Sequence, residues 1–318
     1  MQTLRRHGSF AVLVAGLLVL CAWLWGFGGA STLARWAASE QRAVQNALAG
    51  ALRAARTGEP WAAFSLMGLC FAYGFFHAAG PGHGKLVMGG YALGEEIPRS
   101  RVIALTLAGS LGQAVTAIVL VGVGAAVFGW SRTQMTDLAD GGLAIFSAGA
   151  IVLVGLWLLW RGVRRWSAAR SFHDQTHKHS HDHVHDHGAH DHDGICSSCG
   201  HAHGPSADQI AQAQTVRAGV AVVFAVAARP CTGALFVLIL TFGMGIPMLG
   251  MLGALVMGLG TAVLTLTVAL GAWHLRGGLA ERISGPAGLR AMGVVEAVAG
   301  LAVALLAGQV ALRLLQFG

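Results

Sequence analysis

Seven long apolar runs, separated by short polar stretches rich in arginine, set the plan of this chain. The first extends from about Phe10 to Gly29, and the others cover about 61–94, 102–129, 141–160, 217–245, 249–273 and 290–314. Runs of this length match the roughly 20 apolar residues that a helix needs to cross about 30 Å of hydrocarbon. Their pattern predicts an all-α polytopic membrane protein with about seven transmembrane helices. Residues 1–30 read as an N-terminal transmembrane helix rather than a cleaved signal peptide, because the apolar run is long for a signal peptide. Residues 31–60 follow a different rhythm. Leu33, Trp36, Ala37, Val44, Ala47, Leu48, Ala51 and Leu52 recur at helical intervals, with Arg35, Arg42, Arg53 and Arg56 between them. This spacing predicts an amphipathic helix on the membrane surface, a soluble linker helix being the other reading.

Composition sharpens the class. The chain is 55% hydrophobic and 11% charged, with a mean hydropathy of +0.62, more apolar than a soluble core requires. The formal charge of +7 is carried largely by arginines between apolar runs. Arg99 and Arg101, then Arg161, Arg164, Arg165 and Arg170, then Arg276, Arg282 and Arg290 all fall on the cytoplasmic side when the N-terminus is inside. No basic helix is interleaved with aromatic residues, so nucleic acid is not an expected partner; the lipid bilayer is. Cys21, Cys70 and Cys231 lie in apolar runs and Cys196 and Cys199 in a polar loop, a scatter unlike a disulfide framework.

Residues 61–170 and 207–318 resemble each other. Aligning Phe75–Gly84 with Phe224–Gly233 matches Phe75 to Phe224, Ala78 to Ala227, Ala79 to Ala228, Pro81 to Pro230 and Gly84 to Gly233. Each copy opens a set of three spans with a broken helix. Three being odd, the two sets must cross the membrane in opposite directions. Inverted repeats with helices interrupted at matching positions point to a transporter whose binding site lies near mid-membrane.

The first break carries the candidate chemistry. In Phe75-Phe76-His77-Ala78-Ala79-Gly80-Pro81-Gly82-His83-Gly84-Lys85, two imidazoles and an amine interrupt an apolar segment. On an unbroken helix His77 and His83 would point to different faces. Pro81 removes a donor and clashes with the preceding turn, while Gly80, Gly82 and Gly84 let the backbone bend, so the two rings can approach one ion. The plainer reading is a kink whose histidines satisfy freed carbonyls. The second copy has Val226 and Thr232 at the histidine positions, so any metal site is asymmetric. Lys85 either snorkels to the cytoplasmic edge or repels an ion and speeds its release. Glu296, the one carboxylate well inside an expected span, would pair with Arg229, ligate metal, carry a counter-transported proton, or sit near headgroups if the span is shifted. Arg229, directly before Pro230, would cap the second broken helix. Thr106, Ser110, Gln113 and Thr116 form one stripe, readable as helix–helix hydrogen bonding or as a permeation path; Gly258, Gly260, Thr261 and Thr265 read as close helix packing.

Between the halves, residues 171–206 change composition altogether. His173, His177, His179, His181, His183, His185, His187, His190, His192, His201 and His203 are eleven of the chain's fifteen histidines. They alternate with Asp174, Asp182, Asp186, Asp191 and Asp193 in a stretch too polar to form a core, which predicts a disordered metal-binding loop. Imidazole and carboxylate suit nickel, cobalt, copper and zinc. Cys196, Cys199, His201 and His203 make a tighter candidate site of the kind zinc accepts. A solvated linker that binds metal only incidentally is the bland alternative.

The motif His77-Ala-Ala-Gly-Pro81-Gly-His83-Gly-Lys85 resembles the signature of the NicO family of nickel/cobalt efflux permeases. Arg229-Pro230-Cys231-Thr-Gly233-Ala is similar to the motif of that family's second half, and a His-rich cytoplasmic loop is a common family feature. The resemblance covers roughly residues 60–318 and implies a non-enzymatic secondary transporter in the bacterial plasma membrane. It would export Ni²⁺ and Co²⁺, hold no permanent cofactor, and gather metal on its cytoplasmic loop. No nucleotide-binding motif is present, so an ion gradient is the expected driving force. The loop's Cys-X-X-Cys leaves zinc and copper open. Metal uptake by similar ligands, a passive metal store, and a thiol–disulfide relay through Cys231 remain rival readings. The relay needs a second thiol, for which Cys70 is the candidate.

Overall fold

A computed structural model describes residues 19, 22–80, 83–175, 207–282 and 285–317. Every regular element among them is helical. After a π-helical turn at Ala22–Gly26 come α1 (Gly29–Arg56), α2 (Ala62–Ala79), α3 (His83–Gly94), α4 (Arg99–Ala126) and α5 (Arg132–Asp137). A second π-helical segment, Leu138–Leu143, runs into α6 (Ala144–Gln175). The second half holds α7 (Ala207–Ala227), α8 (Thr232–Gly243), α9 (Pro247–Arg282) and α10 (Gly285–Phe317).

Among the described residues, five segments are long and apolar enough to cross a membrane: Ala62–Ala79, Arg99–Ala126, Arg132–Ser167, Pro247–Leu279 and Arg290–Gln316. Val216–Ala227 and Thr232–Gly243, bent by 57° at their junction, add a sixth if counted as one broken span. This is a multi-pass membrane architecture. The apolar run at 10–29 falls mostly outside the described residues, which accounts for part of the difference from the seven expected spans. The run expected to begin at 141 starts earlier, because the wide π-helical turn carries the helix through Asp140, Gly141 and Gly142 without interruption.

α1 is amphipathic, and its apolar face packs on α2. Ala37, Leu48 and Leu52 are buried there, Trp36 meets Phe76 edge-on, and Gln41 donates a 2.9 Å hydrogen bond to the Tyr73 hydroxyl.

Several helix crossings depend on glycine, and at two of them backbone meets backbone. α6 and α10 meet through Gly155 and Gly162 on one side and Gly293 and Gly300 on the other. A Cβ on Gly162 would lie 2.4 Å from Ala297 N, and one on Gly300 would lie 2.4 Å from Leu159 N. α2 and α9 meet at Gly74 and Gly260, where a Cβ would lie 2.0 Å from Met257 O and 2.2 Å from Phe71 O. In lipid no hydrophobic force draws apolar helices together, so close backbone approach through small residues supplies the dispersion contacts instead.

Candidate functional site

Helices α2 and α7 both stop inside the bundle, and each is followed by a short helix of 12 residues, α3 and α8. At about 1.5 Å per residue, 12 residues reach only about 18 Å. The chain therefore re-enters helix partway through the protein. Carbonyls released by such a break need new donors, since hydrocarbon offers none. At the second break Thr116 donates to Ala227 O (2.8 Å) and Ser147 to Ala225 O (2.6 Å). At the first, the Lys85 ammonium donates to Gly80 O. Lys85 thus spans its own break instead of extending away from it, and Thr116 explains the end of the polar stripe on α4.

The two breaks border one cavity of about 210 Å³. Its lining includes His77, Lys85, Arg229 and Thr232 from the breaks and Thr106, Ser110 and Gln113 from the α4 stripe. Ser147, Thr261 and Thr265 complete its polar wall. Thr261 also donates to Gly74 O across the α2–α9 crossing (3.2 Å), so this residue serves both helix packing and the cavity.

His77 is held from two sides. Its ring lies parallel to that of Tyr73, with centroids 6.0 Å apart and planes at 10°. Tyr73 is buried and abuts α8 so tightly that a Cβ on Gly233 would lie 2.0 Å from Tyr73 Cε1. This close approach places Cys231, at the N-cap of α8, beside the His77 imidazole. An imidazole from the helix before the first break and a thiol from the second break consequently lie side by side. In the sequence Cys231 stands out only as a candidate relay thiol. Its signal was the alignment itself, which sets it opposite Gly82 in a motif otherwise shared with the histidine-bearing break. Cys70 and Cys231 are both buried and free.

The remaining sequence candidates are dispersed. Glu296 is buried, but it neither lines the cavity nor pairs with Arg229. It accepts from Arg161 Nε and, at 2.8 Å, from Arg165 NH1. Arg161 also donates to buried Glu95 and, at 3.1 Å, to Gly94 O. The reason is the glycine crossing, which presses the α6 face carrying Arg161 and Arg165 onto α10. Arg229 has no carboxylate within 4.0 Å among the described residues. Pro81, Gly82 and the His83 side chain lie outside the described residues, as do His177, His179, His181, His183, His185, His187, His190, His192, Cys196, Cys199, His201, His203 and the His173 side chain. Among the described residues, no three His, Cys, Asp or Glu side chains cluster with metal-binding spacing.

Broken helices beside a small cavity with a polar wall, within a bundle of apolar spans, are the architecture of a multi-pass membrane transport protein. Residues 63–315 match the NicO family model, described as high-affinity nickel-transport protein, and the chain belongs to that family of nickel/cobalt transport proteins. It is also similar to a Haemophilus influenzae protein whose name places it in a nickel/cobalt efflux system, with 30% identity over 196 residues. That match covers 61% of this chain and 61% of the relative, so the chain spans about three-fifths of the relative's length. No solved structure matches it.

Proposed function

We propose that this protein is a secondary transporter that carries Ni²⁺ and Co²⁺ out of the bacterial cytoplasm through the cavity between the two breaks. The observation that carries this reading is the convergence of His77 and Cys231, one from each break, with His77 lining a cavity whose polar wall is made of hydroxyls, an amide and two cations. Imidazole and thiolate suit late first-row divalent ions and poorly suit Mg²⁺ or Ca²⁺. His83, six residues after His77, is the proposed third ligand. Lys85 and Arg229 bring positive charge to the cavity and, among the described residues, no carboxylate lines it, so an entering cation is held by lone pairs against charge repulsion. Such a site releases its ion readily, as a carrier requires. The packing of each break on the other half supports an inverted-repeat organisation: Gly233 lies against Tyr73, and a Cβ on Gly84 would lie 3.4 Å from Val226. In this reading residues 171–206 form the cytoplasmic metal-gathering loop, with His173 through His203, Cys196 and Cys199 as its ligands.

The test is ⁶³Ni²⁺ accumulation by everted membrane vesicles. Wild-type vesicles should accumulate the ion, while His77→Ala and His83→Ala vesicles with equal amounts of inserted protein should fall to background. Normal flux in both variants would exclude the imidazole site, and flux only in right-side-out vesicles would make the protein an uptake permease.

A further inference from the structure

A second and larger cavity, of about 980 Å³, lies between α6 and α7 and shares no lining residue with the first. Its two ends differ in chemistry. Leu153, Val154, Trp157 and Phe224 form an apolar wall, and Leu153 and Phe224 are 68% and 59% exposed toward what would be lipid. Arg161, Arg164, Arg165 and Arg217 gather at the other end. Arg161 and Arg165 are engaged by Glu95 and Glu296. Arg164 and Arg217 have no carboxylate within 4.0 Å among the described residues, leaving the groove two guanidinium charges in excess. The Arg164 guanidinium stands 4.8 Å above the Trp160 ring, and that of Arg161 stands 4.8 Å above Trp157. The aromatic faces fix both side chains at the rim instead of leaving them to sweep through solvent.

From this geometry we infer that the groove is a binding site for one anionic phospholipid, its phosphate on Arg164 and Arg217 and an acyl chain along Leu153, Val154 and Phe224. Planar guanidinium matches phosphate by paired hydrogen bonds. Basic pockets between membrane helices, with an apolar floor below, recognise lipid headgroups by this combination. The aspartate-bearing segment 176–206 is joined to both walls and could reach the arginines. Apart from Val184 and Ile195 it has no large aliphatic side chain to cover the apolar wall. A lipid satisfies both ends of the groove; that segment satisfies one. The site stands apart from the cation cavity, and its test does not depend on metal flux.

The full chain, purified in mild detergent, would be titrated with phosphatidylglycerol and with phosphatidylcholine and observed by native mass spectrometry. One phosphatidylglycerol should bind in preference to phosphatidylcholine, and the double variant Arg164→Gln/Arg217→Gln should bind it about tenfold more weakly. Arg164→Lys/Arg217→Lys, which keeps the charge but loses the paired hydrogen bonds, should bind with intermediate strength and still prefer phosphatidylglycerol, and this separates a lost site from a misfolded protein. Equal binding of the two lipids, or an undiminished preference in the glutamine variant, would overturn the assignment. So would a preference that emerges only when residues 176–206 are deleted, which would make that segment the native occupant.

Discussion

His77, Tyr73, Gly233 and Cys231 act as one unit. Gly233 has no side chain because the Tyr73 ring occupies that space, and the same contact brings the thiol to the imidazole. Replacing Cys231 with serine exchanges a soft sulfur donor for a hard, weakly coordinating hydroxyl. Ni²⁺ flux in Cys231→Ser vesicles should fall at least several-fold, whereas Cys70→Ser should transport normally. A disulfide relay would need both thiols, so loss of function in both variants would favour that chemistry. The isolated imidazole amid apolar residues next to a proline was legible in the sequence. Its sulfur partner was not, since that contact depends on which helix ends meet in three dimensions. Glu296 illustrates the same limit, because its solitary position advertised a pairing without revealing Arg161 and Arg165 as the partners. Glu296→Gln would leave both guanidinium groups without their shared carboxylate. Hydrogen bonds to charged groups contribute about 1.5–3 kcal/mol each, so the variant should melt at lower temperature in detergent, as followed by intrinsic fluorescence.

At the scale of elements, glycine spacing determines which helices touch. Gly155 and Gly162 recur seven residues apart on α6, as do Gly293 and Gly300 on α10, and seven residues is close to two helical turns. Each pair forms a stripe against which the opposing backbone can lie. Gly162→Ala would drive a methyl group into Ala297 N at 2.4 Å. Overpacking of this kind costs about 1–3 kcal/mol, and the clash with backbone leaves little room to relax. Gly149, on the same helix, has no atom within 4 Å of a built Cβ, so Gly149→Ala should keep or slightly raise stability by its better helix propensity. Opposite signs of the two thermal shifts would verify the crossing, and equal shifts would refute it. The proline breaks, the arginine-bearing connections and the amphipathic α1 were all readable from residue order. The π-helical passage through 138–143 was not, because Asp140, Gly141 and Gly142 also fit a loop.

For the whole molecule, the arginine clusters fix how the export reading can be tested. Arg164 and Arg165 stand on the α6 segment leading to residues 176–206, and basic residues flanking spans favour the cytoplasmic side. Under export, the imidazoles of that segment lie on the side from which the ion enters. A tethered ligand array raises the local ion concentration there, as a short linker raises effective concentration to the millimolar range. Its removal should therefore change how readily the site fills, not how fast a filled site turns over. Deleting residues 176–206 should raise the half-saturating Ni²⁺ concentration in everted vesicles several-fold and leave the maximal rate within about twofold of wild type. Under uptake, the same segment would lie on the release side, and its deletion would leave half-saturation for entry unchanged. Complete loss of flux from a deletion protein that still inserts would instead make the segment the principal metal site, reducing the cavity between the breaks to a structural feature.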